Sequence, residues 1–188
     1  MTRRQGLALV IVLVVGAGAL FAVVASSRDP ETMLVNTYDL SPAVFTFKYP
    51  TGWQYRLLMQ NLLMLAQPPT FEGTPGPTLT VQRSFPLAAA DSLNEALATY
   101  LNEGPLREDR QWEIVDDIST IMFDGRQALA LDLEGREADD KPELHTHLVI
   151  TEAANGAVYI FAASAPVGEW EQYRAVFEAI LESVEIVE

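Results

Sequence analysis

The chain has 188 residues, twelve Lys/Arg against 26 Asp/Glu, a formal net charge of −14 and no cysteine. The missing cysteine excludes disulfides, thiol nucleophiles, cysteine-based zinc sites and a lipidated N-terminal Cys. The acidic excess repels phosphate backbones and argues against nucleic-acid binding, while serving to keep a tethered domain soluble.

The first 30 residues are a different material from the rest. Residues 1–5 carry Arg3 and Arg4, positive charges expected to stay on the cytoplasmic side. Residues 6–25 form an uninterrupted run of small and apolar side chains. Twenty helical residues at about 1.5 Å each span roughly 30 Å, the hydrocarbon thickness of a bilayer. This run is expected to be a transmembrane anchor. The rival is a cleaved signal peptide, for which Val23-Val24-Ala25 is a fitting small-residue site. Signal-peptide apolar regions run to about 7–15 residues, so the length favours the anchor. Arg3-Arg4 also matches the twin-arginine export pattern, which is weak as a dipeptide. Either reading puts the following domain on the extracytoplasmic side, held at the membrane in the first case. Residues 26–35 read as a tether and 36–188 as one domain.

Residues 43–49 alternate with Phe45, Phe47 and Tyr49 on one side, a strand with one buried face stopped by Pro50-Thr-Gly52. Residues 55–59 and 62–66 predict a hairpin about Gln60-Asn61; its Leu and Met run reads as core in preference to a ligand-lining surface. Residues 67–77 hold four prolines and two glycines, which predicts an irregular loop. Phe71 in that loop is a candidate partner-binding residue, because binding groups concentrate on loops set on a rigid frame. A strand is expected over 78–83. Ser92-Leu-Asn-Glu95 is a capping box, and Leu93, Ala96, Leu97, Tyr100 and Leu101 form one helical stripe ended by Gly104-Pro105.

Beyond Trp112 the pattern turns to strands. Residues 114–123 are expected as one strand leading into the hairpin dipeptide Asp124-Gly125, with further strands over 126–134, 145–152 and 157–164. Asn155-Gly156 is a second hairpin turn. The final helix, expected to start near Pro166, carries Trp170, Tyr173, Phe177, Ile180 and Leu181 on one stripe, and residues 184–187 a short last strand. Trp53, Trp112 and Trp170 all fall within or beside core patterns and read as packing residues, not sugar-stacking ones. Hairpins plus two amphipathic helices give an α+β domain: an antiparallel sheet with helices packed on it, preceded by one N-terminal transmembrane helix.

Three stretches carry a resemblance. Phe45-Thr-Phe-Lys-Tyr-Pro-Thr-Gly-Trp53 resembles the F-x-F-x-Y-P-x-G-W opening of the PsbP-like superfamily. Phe123-Asp-Gly-Arg-Gln-Ala128 resembles its v-x-G-x-x-A strand start. Tyr173-Arg-Ala-Val-Phe-Glu-Ala-Ile-Leu-Glu-Ser183 is similar to its closing helix. In order they cover about residues 35–188. That superfamily includes the extrinsic P-protein of photosystem II, the Mog-type Ran-binding factors and many bacterial exported proteins. The resemblance implies an α/β/α sandwich and a binding or stabilising role. It transfers no catalytic residue, because the shared positions are turns and core.

No nucleophile elbow, phosphate-binding loop, H-E-x-x-H or dinucleotide fingerprint is present, no cofactor is implied, and the chain is not expected to be an enzyme. One constellation stands out. His145 and His147 are two apart and share a strand face. A preceding strand folded back with Glu134 opposite His145 sets Asp132 opposite His147, and four such side chains are a candidate zinc-type site. The competing reading is a set of cross-strand His–carboxylate pairs. The expected function is thus a membrane-tethered extracytoplasmic module binding a protein partner or membrane complex. The alternative is a ligand- or metal-sensing domain using the His145/His147 face.

Overall fold

The computed structural model describes residues 34–39, 45–84, 92–103, 111–136 and 140–187. The expected anchor over 6–25 lies outside these residues, and no described helix is long and apolar enough to cross a membrane. In chain order the strands are β1 (Leu34–Tyr38), β2 (Phe45–Pro50), β3 (Gln54–Met59), β4 (Leu62–Ala66), β5 (Thr78–Ser84), β6 (Gln111–Ile114), β7 (Ser119–Phe123), β8 (Arg126–Arg136), β9 (Leu144–Glu152), β10 (Val158–Pro166) and β11 (Glu185–Ile186). The helices are α1 (Pro68–Phe71), α2 (Leu93–Glu103) and α3 (Trp170–Glu182).

Two antiparallel sheets form. The large one runs β3-β4-β5-β10-β9-β8-β6, with β7 also paired to β8; the small one is β1-β2-β11. The central strands of the large sheet are buried on both faces and so read as nearly continuous apolar runs, β10 above all (VYIFAASAP). One face packs α2 through Ala96 and Leu97 against Leu129, Leu131, Leu148 and Ile160. The other carries α3 and the small sheet, whose Phe45 and Phe47 meet Tyr159, Phe161 and Phe177 in one core. Ser92 Oγ accepts the Glu95 N–H, as the capping box requires.

Register sets the ends of the molecule. Gln54, Ala66, Thr78, Ser164, Thr146, Leu133 and Ile114 lie on one row across the sheet. Leu34 pairs with Pro50, four residues before Gln54, so the chain enters the domain at this end. The turns at Gln60-Asn61, Asp124-Gly125 and Asn155-Gly156 lie at the other end.

Four expectations need correction. β1 begins at Leu34, so the last two residues of the expected tether belong to the small sheet. Residues 114–123 are not one strand: β6 and β7 pair with different halves of β8, and 115–118 loop out between them. The Pro-rich loop contains one helical turn, α1, with Pro in its first turn, where a missing N–H costs nothing. The hairpin's apolar run is only half core: Leu63 and Leu65 are buried, but Leu57, Leu58 and Met59 on the edge strand are exposed.

The β7–β8 turn is also a tie. Asp124 (φ 47°) and Gly125 (φ 70°) both take the left-handed conformation that a two-residue hairpin demands. The Asp124 carboxylate pairs with Arg126 and accepts the Ile186 N–H at 2.9 Å, fastening β11 to the large sheet. Asp124→Ala is expected to cost about 1–3 kcal/mol, since it strips both bonds and puts a less tolerant residue at positive φ. Urea unfolding measures it, and Asp124→Asn should recover part of the loss.

Candidate functional site

β8 and β9 pair with Glu134 opposite His145 and Asp132 opposite His147. All four side chains therefore stand on the face that carries α3, beyond the buried Ala128, Ala130 and Val149 of the same rows. α3 crosses above them and presents Trp170, Glu171, Arg174, Phe177, Glu178 and Leu181, the spacing of one helix face. Asp116, from the segment looped out between β6 and β7, closes the remaining side. The result is an open cavity of about 360 Å³.

Its floor is a hydrogen-bonded cluster. His145 Nδ1 lies 3.0 Å from Glu134 Oε1, and its Nε2 lies 3.0 Å from Asp132 Oδ1. The same Asp132 oxygen is 3.1 Å from His147 Nδ1. A carboxylate only accepts, so both His145 contacts are hydrogen bonds when the ring carries two protons. The ring lies over Trp170, centroids 4.1 Å apart and planes 28° from parallel. Burial pushes the Asp132 carboxyl up, but the hydrogen bond and charge of His147, and then those of His145, outweigh it and hold it below its ordinary range.

That shift fixes a pH dependence. A depressed carboxyl stabilises the fold above its ordinary value of 3.8 and loses that contribution as pH falls through the folded value. Wild type should therefore exceed Asp132→Asn in stability at neutral pH, and the gap should close as pH drops below about 4. Denaturant titrations of both across that range measure it.

The arrangement constrains what the cluster does. Two imidazole nitrogens are turned onto one carboxylate oxygen, as in cross-strand ion pairs. Among the described residues no three His or carboxylate side chains are disposed to hold a metal ion. Phe71, the other candidate, is remote from this cluster in the fold: it closes α1, and the Arg56 guanidinium of β3 lies 4.1 Å over its ring. The α3 residues and Asp116 were not found from the sequence. Arg174 and Glu178, bonded at 2.9 Å, carry an i, i+4 signal, but nothing local places them opposite β8 and β9.

No family model and no curated relative match the chain. Solved structures do. The solution structure of cyanobacterial PsbP (CyanoP) from Synechocystis sp. PCC 6803 superposes with a TM-score of 0.60 at 16% identity, covering 82% of this chain and 94% of that one. The Ran-binding protein Mog1p of Saccharomyces cerevisiae gives 0.56 at 10% identity, over 81% and 95%. LpqN of Mycobacterium tuberculosis, involved in cell envelope biogenesis, gives 0.50 at 15% identity, over 77% and 83%. An antiparallel sheet with helices on both faces, superposing on nearly the full length of CyanoP and Mog1p, gives this chain the PsbP-like fold.

Proposed function

We propose that the chain is a membrane-tethered extracytoplasmic module that binds or stabilises a partner protein or membrane complex and catalyses no reaction. The observation that carries this reading is the cavity beneath α3. It is open, and among the described residues its lining offers as nucleophiles no Ser, Thr, Cys or Lys, only carboxylates and imidazoles, of which Asp132, Glu134, His145 and His147 are bonded to one another. Both ring nitrogens of its best-buried histidine are occupied by carboxylates. Support by analogy comes from Mog1p, a Ran-binding protein on the same fold. The tether rests on the apolar run over 6–25.

The full chain should sediment with membranes, resist an alkaline wash and keep its N-terminus; a mature protein starting at Ser26 overturns the anchor. Affinity purification from those membranes should recover a stoichiometric protein, and a chain recovered alone overturns partner binding.

The second reading, metal or ligand sensing, is favoured by one fact: two imidazoles and two carboxylates share a face. Zinc titration separates the two. Weak binding that His145→Ala/His147→Ala leaves unchanged is expected, because a field of −14 attracts cations loosely. One-to-one binding on the order of 1 µM that the double substitution abolishes selects sensing instead.

A further inference from the structure

Two exposed apolar edges flank the large sheet. One is Leu57–Met59 on β3, where the lone charge, Arg56, is folded over Phe71. The other is the looped segment between β6 and β7, where Val115 and Ile118 are 43% and 48% exposed. The second adjoins a cavity. Asp116 sits among these apolar side chains and also lines the space beneath α3, so patch and cavity form one continuous surface.

Charge on that surface is lopsided. Among the described residues, Asp116, Asp132, Glu134, Glu171 and Glu178 face the cavity against one guanidinium, Arg174, which is already bonded to Glu178. The two histidines are engaged by Asp132 and Glu134. Asp116 has no hydrogen bond or ion pair among the described residues. Moreover, β6 and β8 set Glu113 directly opposite Glu134. Like charges opposed across a strand pair destabilise it, and His145 answers only one of the two. A cation arriving at the mouth of the cavity relieves this repulsion, and a low-dielectric cleft of one sign focuses the field that draws it in.

We propose that this surface docks a partner segment in which one Lys or Arg, entering the cavity, is flanked by apolar residues seated on Val115 and Ile118. The inference rests on the protein-binding reading above and names the partner's chemistry. A free amine satisfies the carboxylates but leaves the apolar rim uncovered. An apolar segment without a cation covers the rim and leaves the opposed carboxylates unrelieved. A basic side chain on an apolar segment does both, in the manner of an anchor residue set in a pocket with a rim that excludes water.

The test uses the full chain in lipid nanodiscs and a synthetic probe, acetyl-Val-Leu-Lys-Ile-Val-amide, followed by NMR of the Trp170 indole and the His147 ring. Controls are the same peptide with norleucine for Lys, and n-butylamine alone. The Lys peptide should bind saturably and shift both signals, at least tenfold more tightly than either control. Asp116→Asn and Ile118→Ser, both exposed positions, should each weaken it several-fold while circular dichroism stays unchanged. Equal binding of the norleucine peptide, or n-butylamine binding as well as the peptide, overturns the proposal. So does a Lys peptide that fails to shift Trp170. If the peptide fails while membranes still yield a stoichiometric partner, this surface is wrong and the protein-binding reading stands. If both fail, both fall.

Discussion

A chain ending at Gly168 loses cooperative folding altogether. The truncation removes α3 and β11, and with them the buried Trp170, Phe177, Ile180, Leu181, Val184 and Ile186. Burial of one such large side chain stabilises by about 1.5–3 kcal/mol, so four or five of them match the whole net stability of a domain, about 5–15 kcal/mol. The loss is not confined to the missing residues. Trp53 loses the edge-on rings of Tyr173 and Phe177. The Lys48 N–H loses the Ser183 hydroxyl that accepts it at 2.9 Å, and β2 loses one of its two partner strands. The expected result is a flat near-ultraviolet spectrum and no sigmoidal urea transition. A sharp transition in the truncated chain would show that the core closes without α3.

Phe177→Ala should be the most damaging single substitution in the helix, at about 3–5 kcal/mol. The ring is 1% exposed and lies 5.9 Å from Trp53, 5.8 Å from Trp170 and 6.5 Å from Tyr173, centroid to centroid. Its removal leaves a void that these three large rings cannot all collapse into, because Trp170 is also held over His145. Phe177→Leu should cost less than half as much, since most of the volume stays filled. Urea midpoints of the three proteins measure both. Nearly equal midpoints for wild type and Phe177→Ala would place the ring outside the cooperative core.

Periodicity made most of this fold legible. Alternation in Phe45-Thr-Phe-Lys-Tyr49 and the dipeptides Asp124-Gly125 and Asn155-Gly156 state strand faces and turns locally, and β2, β8, β9 and β10 follow them closely. β1 was invisible because only Tyr38 of Leu-Val-Asn-Thr-Tyr is buried; the strand exists through its pairing with β2, which no local pattern encodes. The break at 115–118 was masked by apolar residues on both sides that mimic an unbroken strand. At the site, hairpin logic reached the four β8 and β9 side chains, because register across a pair follows from chain order. It did not reach Trp170, Arg174 or Asp116. They arrive by helix-on-sheet packing and by the segment looped out between β6 and β7, contacts chosen by the shape of the whole core.

The row across the large sheet has one more consequence. Leu34, where the chain enters the domain, stands at the same end as the histidine cluster, and the three hairpin turns stand at the other. For a chain anchored through residues 6–25, the nine bonds from Ala25 to Leu34 reach at most about 30 Å. On the proposed anchor, a leash that short would hold the cavity within a thin layer above the bilayer surface, and membrane proteins sharing that bilayer would meet it at local concentrations on the order of millimolar. Occupancy is then governed by lateral diffusion in two dimensions, not by encounter from bulk. A docking surface of very modest intrinsic affinity would stay filled under those conditions, and would empty once the domain was cut loose from its leash.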